Sequence, residues 1–143
     1  MRELYSVVPV PRSALVRHRS KIAGWGVSTR VTIPKNTRII DYAGEPISHS
    51  ESARRERRHL PSGRIWCFTV NRRMVRDASV GGNLARFINH ACKPNCYSRV
   101  VGHTIWICAA RTLKPGEELT YDYHTDGTAH IPCRCRPGCR TIL

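Results

Sequence analysis

From residue 14 onward the chain is a succession of short apolar or alternating runs, each closed off by Gly, Pro or Asn. This punctuation limits what it can fold into. Runs at 25–29, 37–42, 65–71, 97–101, 104–110 and 118–121 are of strand length. Pro34-Lys35-Asn36 and Lys114-Pro115-Gly116 are turns with a mechanism, since Pro presets φ and Gly permits positive φ. One helix is predicted: Ser48 with Glu51 three residues later forms a capping box, and the stretch to His59 is rich in helix formers. Ala53 is the only apolar residue in its interior, so the helix belongs on the surface. Residues 82–89 suit a short second helix, with Leu84, Phe87 and Ile88 turned inward. Residues 1–12, with Pro9 and Pro11, read as a loose arm. The expectation is a mostly β domain with little helix.

The 143 residues, 41% of them apolar, suffice for one domain with a modest core and argue against disorder. The longest apolar stretch, 105–110, is far too short to span a bilayer, so no membrane contact is expected. The amino terminus carries no pattern of a secretory signal. The formal charge of +14, with 20 of the 24 basic residues arginine, should attract nucleic acid or acidic protein surfaces without choosing between them. The densest basic run, Arg54-Arg55-Glu56-Arg57-Arg58, is either a solvated helix face or a docking site for an acidic partner. Seven cysteines, an odd number without an export signal, make a disulfide framework a poor reading. Cys67 and Cys108 sit inside apolar runs and read as buried small hydrophobes.

The strongest motif is the run from Arg86 to Cys96, RFINHACKPNC. Asn89 and His90, flanked by Phe87 and Ile88, must find hydrogen-bond partners if they are partly buried. This run resembles the signature of SET-domain protein lysine methyltransferases. Four further pieces follow that family's order: Gly24-Trp25-Gly26, Tyr42-Ala43-Gly44-Glu45, Asp77-Ala78 leading to Gly82-Asn83, and Glu118 to Tyr123 (ELTYDY). The stretch ARFINHACKPNCYSRV is most like the trithorax branch. The resemblance implies a fold of several small β-sheets, few short helices and a carboxy-terminal pseudoknot. Within it, 13–126 would be the SET domain and 127–143 a post-SET segment.

The resemblance further implies methyl transfer from S-adenosylmethionine to the amine of a lysine in a protein, a histone tail being one such substrate. That chemistry needs orientation and a neutral amine, although free lysine titrates near ~10.4. An apolar channel lowers that value. By position Tyr123 would be the catalytic tyrosine and Tyr42 would line the channel. Tyr121 matches the family's Phe/Tyr switch, where a hydroxyl favours mono- or dimethylation. Ala23, Gly24, Trp25, Trp66, Arg86, Asn89, His90 and Arg134 would form the cofactor site. The glycines there would let backbone approach the ligand. Trp66 stands where the family often has Tyr, and keeps an apolar face and one N–H donor.

Cys133, Cys135 and Cys139, with Pro137 and Gly138 between them, suit a tight metal-binding turn. A tetrahedral zinc ion needs a fourth ligand, which the resemblance assigns to Cys92; spacing alone leaves Cys96, His124 and His130 open. The spacing C-x-C-x3-C is one residue shorter than the usual post-SET pattern. Two rival expectations stand beside the enzyme. One is a basic zinc-containing module that binds chromatin or nucleic acid without catalysis. The other is an enzyme nearly inactive without activating partner proteins. An intracellular protein is expected, at chromatin in a eukaryote, or in the cytoplasm or as a secreted effector in a bacterium.

Overall fold

The computed structural model describes residues 9–143 and arranges them as ten short strands in four small sheets, with one α-helix. β1 (Leu15–Arg19) pairs antiparallel with β2 (Trp25–Thr29). β3 (Arg38–Asp41), β9 (Thr104–Ala109) and β8 (Cys96–Val101) form a three-stranded sheet in the order β3-β9-β8. β4 (Glu45–Ile47), β6 (Val75–Asp77) and β5 (Cys67–Thr69) form another in the order β4-β6-β5. β7 (Asn89–His90) and β10 (Thr120–Tyr121) pair in parallel. This is the mostly β architecture of several small sheets that the sequence predicted.

The runs become strands where alternation meets a core. In β9, Ile105 and Ile107 are fully buried, while the half-buried Trp106 takes the Arg38 guanidinium over its ring at 5.4 Å. Val101 pairs with Thr104 across the turn Gly102-His103, and Gly102 has the positive φ of 62° that such hairpins need. Ile39, Ile40, Ile88, Leu113 and Leu119 complete a core that all four sheets share.

α1 (His49–His59) starts where the capping box placed it: the Ser48 hydroxyl accepts the Glu51 N–H at 3.1 Å. Ala53 is nevertheless exposed, and it is Ser52 that is buried. Arg55 turns inward, donating to Glu45, Glu51 and the fully buried Asp77 at 2.8–3.0 Å. Arg54 is held by Glu51. The basic run therefore presents Arg57 and Arg58 as its exposed charge without an ion pair among the described residues, Arg54 being exposed but paired.

Several expectations need correction. The second helix is a single 3-10 turn, Leu84–Phe87, capped by the Asn83 side chain, with Ala85 and the following Ile88 as its buried residues and Leu84 and Phe87 only partly buried. Strands β1, β4, β6 and β7 were not read from the sequence, because Arg, His and Pro interrupt their alternation. Of the expected loose arm, residues 1–8 lie outside the described part. The remainder docks: Val10 N–H donates to the Arg38 carbonyl at 3.3 Å, and Arg12 pairs with Asp41 at 3.1 Å.

Candidate active site

The site is built on the parallel pair β7 and β10, which sets Asn89 beside Thr120 and His90 beside Tyr121. The Asn89 amide donates to the carbonyls of Ala23 (3.1 Å) and Trp25 (3.0 Å), so both its hydrogens hold the loop before β2. The Tyr123 N–H donates to His90 Nδ1 at 3.0 Å, which fixes that nitrogen as the acceptor. Burial of His90 pushes its imidazole pKa down, against the opposing charge of Asp122. Gly24 has φ +46° with nothing within 4 Å of where a Cβ would stand, so the backbone there is open. Gly26 needs its missing side chain for a different reason: a Cβ would sit 2.5 Å from Glu118 Oε1. Close packing, not approach to a ligand, explains that glycine.

Two cavities flank this pair. The first, about 350 Å³, is lined by all eight residues expected to hold a cofactor: Ala23, Gly24, Trp25, Trp66, Arg86, Asn89, His90 and Arg134. Arginines pack on its indoles, Arg19 on Trp25 at 4.2 Å and Arg86 on Trp66 at 5.2 Å. The second, about 490 Å³, holds Tyr42, Tyr121, Cys67 and Phe68 in its wall. Tyr123 and Ile65 belong to the walls of both.

The aromatic rings form a continuous cluster. Tyr42 and Phe68 lie 5.2 Å apart by ring centroid, Phe68 and Tyr121 6.0 Å, and Tyr121 and Tyr123 4.8 Å. The Tyr42 hydroxyl donates to the Trp66 carbonyl at 2.7 Å, and the Tyr123 hydroxyl to the Ile88 carbonyl. The Tyr121 hydroxyl has no hydrogen-bond partner among the described residues, and it is not sealed from the cavity. Burial raises all three phenol pKa values. The hydroxyls therefore stay protonated at neutral pH and act as dipoles and hydrogen-bonding groups, not as bases.

The tail folds back over the first cavity. Pro132 bridges Ile142, Cys133 N–H donates to the Thr141 carbonyl at 2.9 Å, and Ile131 and Leu143 exchange backbone hydrogen bonds. This hairpin gathers the thiols of Cys92, Cys133, Cys135 and Cys139, whose sulfurs all lie within 4.8 Å of one another. Four sulfurs at that spacing can hold one tetrahedral cation, and the shortened C-x-C-x3-C loop accommodates the arrangement. Donation from the backbone and hydroxyl of Thr141 draws the Cys139 thiol down to about 6, while burial pushes Cys133 up to about 12. Cys96, His124 and His130, the alternatives for the fourth ligand, are not in the cluster. Cys96 is packed in the core, where burial raises its thiol to about 12. Cys108 is buried as read, but Cys67 is half-buried in the wall of the second cavity, its thiol raised to about 11 by burial.

Sequence reasoning missed Phe68, Glu56 and Asp126 in the second cavity and Arg64, Ile131 and Leu143 in the first. Phe68 had a signal, being in an apolar run; the others come from segments that meet only in the fold.

A loop tied twice by Asn89, a tyrosine shared by two cavities and a thiol cluster beside the first of them define the class of site: two adjoining cavities that meet at one hydroxyl-bearing ring. The chain belongs to the SET-domain family, which its residues 24–124 match. It is 40% identical over 136 residues to a histone-lysine N-methyltransferase of Emericella nidulans described as H3 lysine-4 specific, covering 87% of this chain and 11% of that protein. It is 45% identical over 133 residues to the histone-lysine N-methyltransferase trithorax of Drosophila melanogaster, covering 87% of this chain and 4% of that one. Among solved structures it resembles a chain of the Chaetomium thermophilum Polycomb Repressive Complex 2 bound to GSK126, with TM-score 0.71, 32% identity, and coverage of 78% of this chain and 16% of that one. The chain thus spans about a tenth of the length of its first fungal relatives.

Proposed function

We propose that this chain is a protein-lysine N-methyltransferase that uses S-adenosylmethionine and acts on a histone tail, adding one or two methyl groups. The observation that carries the reading is Tyr123, which stands in the wall common to both cavities. A methyl donor on one side and a lysine on the other would meet at its hydroxyl. S-adenosylmethionine supplies the electrophilic methyl group. The residues of the first cavity fit such a ligand: open backbone at Gly24, two indole faces, and Asn89 holding the loop between them.

The protein's own part is orientation and desolvation. Tyr42, Phe68, Tyr121 and Tyr123 surround the second cavity with aromatic surface, where a lysine ammonium is disfavoured and the neutral amine favoured. The Tyr123 hydroxyl spends its proton on the Ile88 carbonyl, leaving lone pairs to accept from an amine N–H. The Tyr121 hydroxyl is free to hold the amine or a water, space a further methyl group would need; this supports arrest at mono- or dimethylation. In this reading residues 13–126 form the catalytic domain and 127–143 the post-SET segment. Cys92, Cys133, Cys135 and Cys139 would take Zn2+ and fix the tail. Exposed Arg57 and Arg58 are where an acidic activating partner or nucleic acid would dock. A histone substrate would place the protein at chromatin. No helix among the described residues is long and apolar enough to cross a membrane.

Intact-mass detection of methyl transfer to core histones tests the reading, using zinc-replete protein and its Tyr123→Phe variant. Histone mass steps of single methyl groups that vanish in the variant are expected. Failure of the folded protein to bind S-adenosylmethionine would favour the non-catalytic chromatin module instead.

A further inference from the structure

Every described carboxylate but one has a partner. Asp41, Glu45, Glu51, Asp77 and Glu117 pair with arginines. Glu118, Asp122 and Asp126 accept hydrogen bonds from Ser20, the His124 N–H and Thr128. Glu56 has neither an ion pair nor a side-chain hydrogen bond among the described residues, although its helix carries Arg54, Arg55, Arg57 and Arg58. It lines the second cavity, and Asp126 lines the same cavity from the segment after β10. Burial, then the charges of Asp126 and Asp77, push its carboxyl pKa up. Asp126 spends only Oδ1 on Thr128, and those bonds hold its own carboxyl below the usual range.

A half-buried carboxylate that shares a cavity with a second one is unfavourable unless a cation joins them. In a chain of net charge +14 an arginine to neutralise Glu56 was available, yet none of the described ones is turned to it. The cavity wall is thus prepared for a positive charge that arrives with the substrate. That charge is not the reacting amine, which must be neutral when it is methylated. The charges weighing most on the hydroxyls of Tyr121 and Tyr123 are the other tyrosines and Glu118, not Glu56. The protein's overall positive field would repel a basic peptide, but it is screened beyond ~8 Å at physiological salt, so the carboxylates in contact decide.

We propose that Glu56, with Asp126 in the same cavity wall, selects substrates in which a basic side chain stands next to the target lysine. This deepens the methyltransferase reading and rests on it. The test uses synthetic peptides with one lysine in a background of alanine, serine and glycine, flanked by either arginine or its neutral isostere citrulline. Two quantities are read: kcat/KM for methyl transfer, and peptide affinity by fluorescence anisotropy in the presence of S-adenosylhomocysteine. The wild-type preference for arginine over citrulline should be about tenfold, the worth of one charge-assisted pair, and should collapse toward unity in Glu56→Gln. Asp126→Asn should lower it in part, and Glu56→Lys should invert it. A preference retained in both Glu56→Gln and Glu56→Lys, or equal binding of the two peptides by the wild type, overturns the proposal. Because affinity is read without turnover, selective binding without any methyl transfer would sink the enzyme reading alone.

Discussion

At the scale of single residues, three tyrosines of similar chemistry, Tyr42 and Tyr121 buried and Tyr123 partly buried, are distinguished by where their hydroxyls point. Tyr42 is committed to the Trp66 carbonyl and Tyr123 to the Ile88 carbonyl, whereas Tyr121 keeps its hydroxyl for the cavity. Replacing Tyr121 by Phe removes no internal hydrogen bond, so the fold should hold and the product should change. Tyr121→Phe should carry substrate on to trimethyl-lysine, read by mass spectrometry of one peptide over a time course. An unchanged ceiling of methylation would remove this role from Tyr121. Tyr123→Phe should instead lower the rate by about a hundredfold or more through lost alignment, with S-adenosylmethionine affinity, measured by calorimetry, falling far less.

Among the elements, α1, β4 and β6 are tied at one guanidinium. Arg55 reaches Glu45 on β4, Glu51 one turn back on α1 and Asp77 on β6. Burial pushes the Asp77 carboxyl up, but the bonds from Ser79 and Arg55 outweigh it and hold the pKa below its ordinary value. A carboxyl depressed in the folded state contributes stability that is present above its unfolded pKa of about 3.9 and is lost as pH falls through the folded value. Urea unfolding across an acid series should therefore show wild-type stability falling more steeply than that of Asp77→Asn below about pH 4. Parallel acid limbs would show that the charge on Asp77 does not contribute. The solvent-accessible Glu51, partly exposed and drawn down to about 2 by Arg54 and Arg55, adds only a shallow, salt-screened slope in the same direction.

For the whole molecule, the tail hairpin is a wall of the first cavity rather than an appendage. Ile131, Pro132, Cys133, Arg134 and Leu143 all face that cavity, and the thiol cluster is what links them to Cys92 beside β7. Treating the zinc-replete protein with a chelator, or replacing Cys92 by Ser, should weaken S-adenosylmethionine binding by about tenfold or more and make the peptide bonds near 127–143 sensitive to protease. Calorimetry with and without added zinc, alongside limited proteolysis, measures both. Undiminished affinity in the metal-free protein would show that the tail closes the cavity without the metal.

What was legible in the sequence is what local chemistry writes. The Ser48 cap, the strand-length run that becomes β9 and the three-cysteine turn each depend on residues a few positions apart. The eight residues that the resemblance groups as a cofactor site also line one cavity wall. Strands such as β6 and β7 were not legible, because they are strands only by virtue of the neighbours they pair with. Spacing leaves the fourth thiol open and only the resemblance names Cys92, whereas the inward turn of Arg55, and the unpartnered Glu56 in the same cavity wall as Asp126, belong to the tertiary structure alone. Sequence fixes which groups are available and their local geometry. Burial, and which charge faces which across segments distant in the chain, is set only when the four sheets close on a common core.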